Sequence, residues 1–407
     1  MQTNRTALFR ASCLSLLVTS LSFGIRAGIL NKLGSDFHLD KTQLASITAT
    51  AFWGFPLAVV FGGVIVDIIG MKRLLILAFI FHLLGIVLTI STPYLSNPFW
   101  TLFSSTLLIG LANGTVEAAC NPLVTTLYQD NKTTKLNHFH LWFPGGIVIG
   151  SLLVLVFNKI GLGWQIQVAT MLIPTLIYGY LFSRLDFPVT ERVSSGVSTA
   201  GMYKALLNPL FLFMFICMFG TAITELFTGQ WIDVLLKNVT QNAILILTLD
   251  TGVMVVGRAF AKPVLKLFSP QVLLLISTIL AALGIYLLST LTGDAVFFAA
   301  IIFGMGVCYF WPTMLGFVNT NLPKTGAIGL NLMGGAGMFA VSVYTIFMGA
   351  HYDNIVKAAG GDNSTAGQQI LQTTLIIPLV LIVAFTGLVI YMRFKGKTAP
   401  AIASAAH

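Results

Sequence analysis

Charged side chains are scarce in this sequence. Only 9% of its 407 residues are Asp, Glu, Lys or Arg, and 56% are hydrophobic. Soluble domains carry about 25% charged residues, so this composition excludes a soluble enzyme. It predicts an all-α integral membrane protein that crosses the bilayer many times.

Patterns of Cys and His that would indicate a metal or redox site are also lacking. The four cysteines fall inside apolar runs, and none belongs to a CxxC or Cys/His pattern. His82, His138 and His140 form no metal pattern and are interpreted as packing or interface residues. No nucleophile–base pair appears either, so we expect no enzyme activity, no cofactor and no metal ion.

The formal net charge of +9 does not indicate nucleic-acid binding. The basic residues lie in short loops between apolar runs, which is the positive-inside pattern of membrane proteins. Loops on one side hold most of the Lys and Arg residues, and Arg258 is counted among them. Both termini are therefore expected on the cytoplasmic side of the cell inner (plasma) membrane. The first apolar run is too long for a signal peptide, so no cleavage is expected.

Twelve apolar stretches each approach the ~20 residues that a helix needs to cross the hydrocarbon core. The widest polar gap in the middle divides them six and six. We therefore expect an N-terminal six-helix bundle (1–185), a cytoplasmic linker (186–204), a C-terminal six-helix bundle (205–397) and a cytoplasmic tail (398–407). The predicted spans are 8–33, 43–66, 74–92, 99–127, 138–158, 164–184, 208–235, 243–262, 271–291, 295–318, 327–350 and 372–393.

The two halves of the chain echo each other. Phe23-Gly24 in the first stretch matches Phe219-Gly220 in the seventh, and Asn121-Pro122 in the fourth matches Trp311-Pro312 in the tenth. A nearly constant offset across half the chain indicates duplication into two pseudo-symmetric halves. Two such halves with a site between them near the midplane are typical of a secondary transporter that works by alternating access.

Glu117 lies in the middle of the fourth apolar stretch. A charge there is disfavoured by roughly 2.5–3.5 kcal/mol, so the carboxylate is expected to face a cavity or a partner. Asn121-Pro122 follows, and Pro122 removes a backbone donor, which leaves polar groups for neighbours or water to satisfy. This pattern favours a solute and proton site over a buried packing pair with an Arg.

The loop between the second and third stretches carries a G-x-x-x-D-x-x-G-x-[RK]-[RK] pattern. It resembles the signature of the major facilitator superfamily at that loop. The resemblance implies a latch that closes the inner side of the transporter. The cytoplasmic gate would consist of Gly63, Asp67, Gly70, Lys72 and Arg73.

Within that superfamily, the element from Glu117 to Pro122 resembles the E-x-x-x-N-P element of the fucose–proton symporter branch. The resemblance implies uptake of a hexose or similar polyol, with Glu117 as the proton-exchanging acid. The sequence departs from the branch where an Asp of the first helix is missing near Gly28, with Arg26 beside the gap. An Asn of the fifth helix is also missing, near Phe143.

Arg26 requires a partner, because a guanidinium stays charged inside the bilayer. One hypothesis pairs it with Glu117. Another has it bind a carboxylate or phosphate of the substrate directly. A structural ion pair elsewhere is a third interpretation.

Other candidates are polar or aromatic residues within the apolar stretches. Glu225 is a second intramembrane acid and, with Glu117, a candidate for proton coupling. Trp231 offers a flat face for sugar C–H groups but also suits an interface belt, and Asp250 suits either the cavity or a packing contact. The predicted substrate-binding set is Arg26, Asn113, Glu117, Asn121, Trp142, Glu225, Gln230, Trp231, Trp311, Asn319 and Asn331.

The leading functional hypothesis is proton-coupled symport of a monosaccharide or sugar derivative. The expected partners are the solute, protons and the lipid bilayer, with no nucleic acid, and a monomer is expected. An organic-anion or sugar-acid transporter with Arg26 as the anion clamp is the main alternative. A multidrug or lipid exporter and a transporter-like receptor are further alternatives.

Overall fold

The computed structural model describes residues 4–39, 41–194, 196, 199–229, 235–236, 243–360 and 365–398. Over these residues the secondary structure is helical, without β-strands. The twelve membrane helices are α1 (Arg5–Asp36), α2 (Lys41–Ile69), α3 (Met71–Ile90), α4 (Pro98–Leu127), α5 (Lys132–His140 and Trp142–Lys159), α6 (Trp164–Ala169 and Leu172–Arg184), α7 (Pro209–Ala222, continued by the π-helical turn Ile223–Phe227), α8 (Ala243–Ala259), α9 (Pro270–Thr290), α10 (Ala295–Val307 and Phe310–Asn321), α11 (Gly326–Ala358) and α12 (Ala366–Thr398).

These helices confirm the predicted all-α membrane architecture, since each of the twelve apolar stretches forms one of them. In the described part of the chain, eleven helices are long and apolar enough to cross a membrane. The remaining stretch corresponds to α8, which is 17 residues long as described. The residues directly before Ala243 lie outside the described part of the chain.

We call α1–α6 the N-terminal half and α7–α12 the C-terminal half. The stretch between α6 and α7 contains two short helices, Glu191–Ser194 and Thr199–Leu206. We call the end of the bundle that holds this stretch and the α2–α3 turn the linker side. Gly70 forms that turn with a φ of 85°, a left-handed backbone conformation that glycine adopts without steric cost.

Small residues let α2 and α4 approach closely beside Glu117. A Cβ atom at Gly114 would lie 2.2 Å from the carbonyl oxygen of Phe55. A Cβ at Gly110 would lie 2.8 Å from the Cα of Ala51. Because Glu117 follows Gly114 by about one helical turn, this packing fixes the depth of its carboxylate.

The halves contact each other between the linker side and the middle of the bundle. Asn331 of α11 packs against Gly63 of α2, and Thr133 of α5 packs against Gly316 of α10. Asn137 of α5 also donates to the Thr313 hydroxyl at 3.5 Å. Small residues therefore allow the helices of the two halves to approach closely here.

The predicted gate residues contact the end of α6 and the linker. The Lys72 ammonium donates to the carbonyl of Leu185 at 2.9 Å, and the Thr190 hydroxyl donates to Asp67. Lys132 at the start of α5 forms an ion pair with Glu191 at 2.8 Å. The α2–α3 turn is therefore tied to the linker, while the gating role of these residues stays a prediction.

Candidate functional site

A cavity of about 350 Å³ lies between the two halves, and we call it the central cavity. It combines charged and polar side chains with aromatic and aliphatic walls. The described lining residues are Phe55, Glu117, His140, Phe143, Glu225, Leu226, Arg258, Trp311 and Met338.

Glu117 is the centre of a hydrogen-bond network in the N-terminal half. Asn121 lies one turn further along α4 and donates from Nδ2 to Glu117 Oε2 at 2.7 Å. Its Oδ1 lies 3.0 Å from His140 Nε2 on α5. The other ring nitrogen, His140 Nδ1, lies 3.8 Å from Glu117 Oε1.

This geometry assigns the protons when Glu117 is ionised. Asn121 uses its amide N–H toward the carboxylate, so its Oδ1 must accept from His140 Nε2–H. A neutral His140 then presents the lone pair of Nδ1 to Glu117.

Arg258 is the buried cation of the site, with an exposed fraction of only 1%. Its Nη2 donates to Glu225 Oε1 at 2.9 Å, its Nη1 to the His140 carbonyl at 2.8 Å and its Nε to the Cys308 carbonyl at 2.7 Å. Because His140 belongs to α5 and the other partners to α7 and α10, one guanidinium connects the two halves at the level of the cavity.

The predictions made for Arg258 and His140 are both wrong. Arg258 was counted among the loop bases, but α8 continues to Ala259, so Arg258 lies in the last turn of that helix. His140 was interpreted as a packing or interface residue, but it lines the central cavity. Local sequence offered little to identify either residue, because both depend on partners that lie across the interface between the halves.

Prolines explain why two main-chain acceptors are open to Arg258. In an α-helix a carbonyl accepts from the N–H four residues later, and proline has no N–H. Pro144 therefore leaves the His140 carbonyl free, and Pro312 leaves the Cys308 carbonyl free. Arg258 donates to both.

The same effect operates at the motif around Glu117. Pro122 leaves the carbonyl of Ala118 without its helical donor, and Asn331 Nδ2 of α11 donates to it at 2.9 Å. Asn331 was predicted to bind substrate, but its amide spans the interface between the halves. It is also packed against Gly63 and is absent from the described lining of the central cavity.

Two acids in the C-terminal half have unsatisfied oxygens. Glu225 lies in the π-helical turn of α7, a type of turn that often marks functional sites. Its Oε2 and the Oδ1 of the buried Asp250 have no hydrogen-bond partner among the described residues. Asp250 packs against Gly304, where a Cβ atom would lie 2.8 Å from Oδ1.

Asn113 was predicted to bind substrate but belongs to a packing network inside the N-terminal half. Its Oδ1 lies 2.8 Å from His82 Nε2, and its Nδ2 donates to the Ser22 hydroxyl at 3.2 Å. The other His82 nitrogen lies 2.7 Å from the Tyr178 hydroxyl. The network satisfies buried polar groups without reaching the central cavity.

Five further predicted residues have different outcomes. Trp311 lines the central cavity as expected. Trp142 packs against the hydrophobic core, and Asn319 is buried on α10 with an unpartnered Oδ1, so neither is among the described lining residues. Gln230 and Trp231 lie outside the described residues.

Arg26 does not pair with Glu117. It lines a second cavity of about 460 Å³ whose described walls all belong to the N-terminal half, and we call this the N-half cavity. Its Nη2 donates to the Ser22 carbonyl at 3.3 Å, and its guanidinium lies 5.4 Å from the Phe23 ring centroid. No described carboxylate lies within 4.0 Å of its guanidinium nitrogens.

Membrane helices in two halves around a buried polar cavity define a polytopic membrane transporter rather than an enzyme. The family comparison agrees with this class. The chain belongs to the Major Facilitator Superfamily, whose family model matches residues 12–348. The superfamily resemblance of the α2–α3 loop is thereby confirmed.

Solved structures share the fold at low sequence identity. The E. coli fucose:proton symporter FucP is 16% identical with a TM-score of 0.72, over 93% of this chain and 98% of that chain. The proton:xylose symporter XylE, bound to 6-bromo-6-deoxy-D-glucose, is 13% identical with a TM-score of 0.72, over 92% of this chain and 94% of that chain. The Mus musculus protein SVOPL is 24% identical over 208 residues, which are 50% of this chain and 39% of that relative.

Proposed function

We propose that this transporter carries out proton-coupled symport of a neutral monosaccharide or sugar derivative, with Glu117 as the proton-exchanging acid. The observation that carries the proposal is the contact of Glu117 with Asn121 and His140 at the wall of the central cavity. We further propose that the linker side faces the cytoplasm, because most basic loop residues lie there.

Glu117 suits proton exchange because its described hydrogen-bond partner is an amide rather than a cation. The carboxylate is 4% exposed, so its charge is costly unless the site is hydrated or the proton is bound. His140 Nδ1 lies close enough to take part in the exchange. Glu225, the other acid predicted for coupling, instead has the cation Arg258 as its hydrogen-bond partner at 2.9 Å.

The cavity lining favours a neutral solute. Its described residues include two carboxylates, Glu117 and Glu225, and one guanidinium, Arg258, so the net formal charge is −1 with Glu117 ionised and His140 neutral. With Glu117 protonated the net formal charge is zero, so in neither state does the described lining offer the net positive charge that would attract an anion. Carboxylate and imidazole groups can bind sugar hydroxyls, and Trp311 offers an aromatic face for C–H groups.

The fold comparisons support the same solute class. The neighbours of similar fold are described as fucose:proton and proton:xylose symporters. The alternative of an organic-anion transporter relied on Arg26 as a clamp, but Arg26 lines the separate N-half cavity. The described central cavity thus lacks the unpaired cation that this alternative requires.

The test uses the protein reconstituted in liposomes, with fucose, xylose and glucose as radiolabelled probes. Glu117→Gln is expected to retain sugar counterflow but to lose accumulation driven by an imposed pH gradient, because Gln cannot carry a proton. Asp294→Asn removes an exposed carboxylate from the α9–α10 connection and serves as the matched control. Undiminished proton-driven accumulation by Glu117→Gln would contradict the assignment.

A further inference from the structure

The N-half cavity has a lining that is largely aliphatic and carries one charged side chain among the described residues. Ile25, Ile29 and Leu33 contribute from α1, and Leu102 contributes from α4. All four are at most 4% exposed. Arg26 supplies the charge, and the hydroxyl residues Ser22, Thr89 and Thr106 complete the polar part of the lining.

The guanidinium of Arg26 has far fewer partners than donors. It carries five N–H donors, and one of its groups donates to the Ser22 carbonyl at 3.3 Å. The Phe23 ring lies against it at 5.4 Å. A carbonyl and a ring do not neutralise a full charge, and the described part of the chain brings no carboxylate within 4.0 Å. A negative group from outside the chain would complete the site.

An aromatic contact separates this site from the central cavity. The Phe23 ring beside Arg26 packs on Phe143 with ring centroids 5.9 Å apart, and Phe143 lines the central cavity. The described linings of the two cavities share no residue. A ligand at Arg26 would therefore occupy a place distinct from the proposed sugar site.

On its α1 side the cavity has a long, largely aliphatic wall. Its wall on α1 runs from Ser22 to Leu33, which corresponds to about 16 Å along a helix. Aliphatic residues at that spacing suit an alkyl chain, because burial of apolar surface is favourable in proportion to its area. The planar fork of an arginine suits a carboxylate or a phosphate.

We propose that the N-half cavity is a binding site for an anionic amphiphile. Its carboxylate or phosphate pairs with Arg26, and its alkyl chain lies along Ile25, Ile29 and Leu33. A free fatty acid and an anionic phospholipid share this chemistry. The site is independent of the proposed sugar transport, so either proposal can fail without the other.

The test measures thermal unfolding of the full chain in a neutral detergent with a thiol-reactive fluorophore. This readout suits the protein because all four cysteines are free and buried. The probes are octanoate, octyl phosphate, octanol and dihexanoylphosphatidylglycerol. Octanoate and octyl phosphate should raise the melting temperature saturably and by more than octanol. If dihexanoylphosphatidylglycerol also stabilises the protein, the natural ligand is an anionic phospholipid. If it does not, the natural ligand is a free fatty acid.

Variants assign this response to the cavity. Arg26→Gln should weaken octanoate binding at least about tenfold, the loss expected for a hydrogen-bonded charge. Arg184→Gln removes an exposed arginine that lies against Tyr180 and should leave the octanoate affinity unchanged. Glu117→Gln should also respond normally, because Glu117 lines the other cavity.

Equal stabilisation by octanoate and octanol would overturn the proposal, as would an undiminished octanoate response in Arg26→Gln. Loss of the response in Glu117→Gln would also overturn it, because the ligand would then occupy the central cavity. If Arg26→Gln fails to fold, Ile29→Phe provides the test with Arg26 intact. The larger ring should fill the cavity and abolish the octanoate response, and retention of that response would refute the site.

Discussion

Replacement of Arg258 tests whether one guanidinium holds the central cavity together. Arg258→Gln leaves Glu225 buried at 6% exposure without its cation. Removal of one partner from a buried ion pair costs about 3–5 kcal/mol. The bonds to two main-chain carbonyls are lost as well, at about 1 kcal/mol each if glutamine replaces neither. A destabilisation of about 5 kcal/mol or more is therefore expected.

A double-mutant cycle with Glu225→Gln separates the charge pair from these other contacts. Glu225→Gln alone should cost less than Arg258→Gln, because Arg258 keeps both carbonyl acceptors. The double variant contains no uncompensated charge at the pair. Its cost should fall about 2–3 kcal/mol below the sum of the two single costs.

The measurement is reversible unfolding in mixed micelles of neutral detergent and dodecyl sulfate, followed by reactivity of the buried thiols. Arg184→Gln serves as the exposed control and should lie within about 0.5 kcal/mol of the parent protein. Costs for Arg258→Gln and Glu225→Gln that add to within about 0.5 kcal/mol would refute the reasoning. The two side chains would then be energetically independent despite their 2.9 Å contact.

Three further substitutions, one of them a control, test how the helices meet around the site. Asn331→Leu should cost about 1–3 kcal/mol in the same unfolding assay, because the Ala118 carbonyl loses its donor; an unchanged stability would argue that water replaces the bond. Gly114→Ala should destabilise the protein by about 1–3 kcal/mol or more through overpacking. Gly252→Ala is the control, because no atom lies within 4 Å of the added methyl group, and it should stabilise the protein by up to about 1 kcal/mol. Similar effects of the two glycine changes would contradict the close approach of α2 and α4.

The fold was predictable because the hydrocarbon core imposes length and apolarity on each span. All twelve predicted stretches appear as helices, and their ends differ from the predictions by a few residues for most spans. The α2–α3 loop pattern indicated the superfamily that the family model confirms. These features are local in sequence, so no knowledge of tertiary contacts was needed.

The chemistry of the site was predictable only in part. The intramembrane position of Glu117 indicated a cavity, and Glu117 lines one. Arg258 could not be separated from the loop bases, because its burial depends on three helices that approach from both halves. For Arg26 the unusual charge was recognised, but the hypothesis that paired it with Glu117 was wrong, because Arg26 lines the N-half cavity. Composition identifies an unusual charge in a span, but the partner of that charge is a tertiary property.

The proline-freed carbonyls have a consequence for how this transporter can tolerate mutation. Arg258 and Asn331 recognise main-chain oxygens of His140, Cys308 and Ala118. A side-chain replacement at an acceptor residue leaves that oxygen in the chain. The vulnerable positions are instead the prolines one turn later, because any other residue there supplies an N–H that can reclaim the oxygen for the helix. Retention of these hydrogen bonds therefore depends on prolines that need not contact Arg258 or Asn331 themselves.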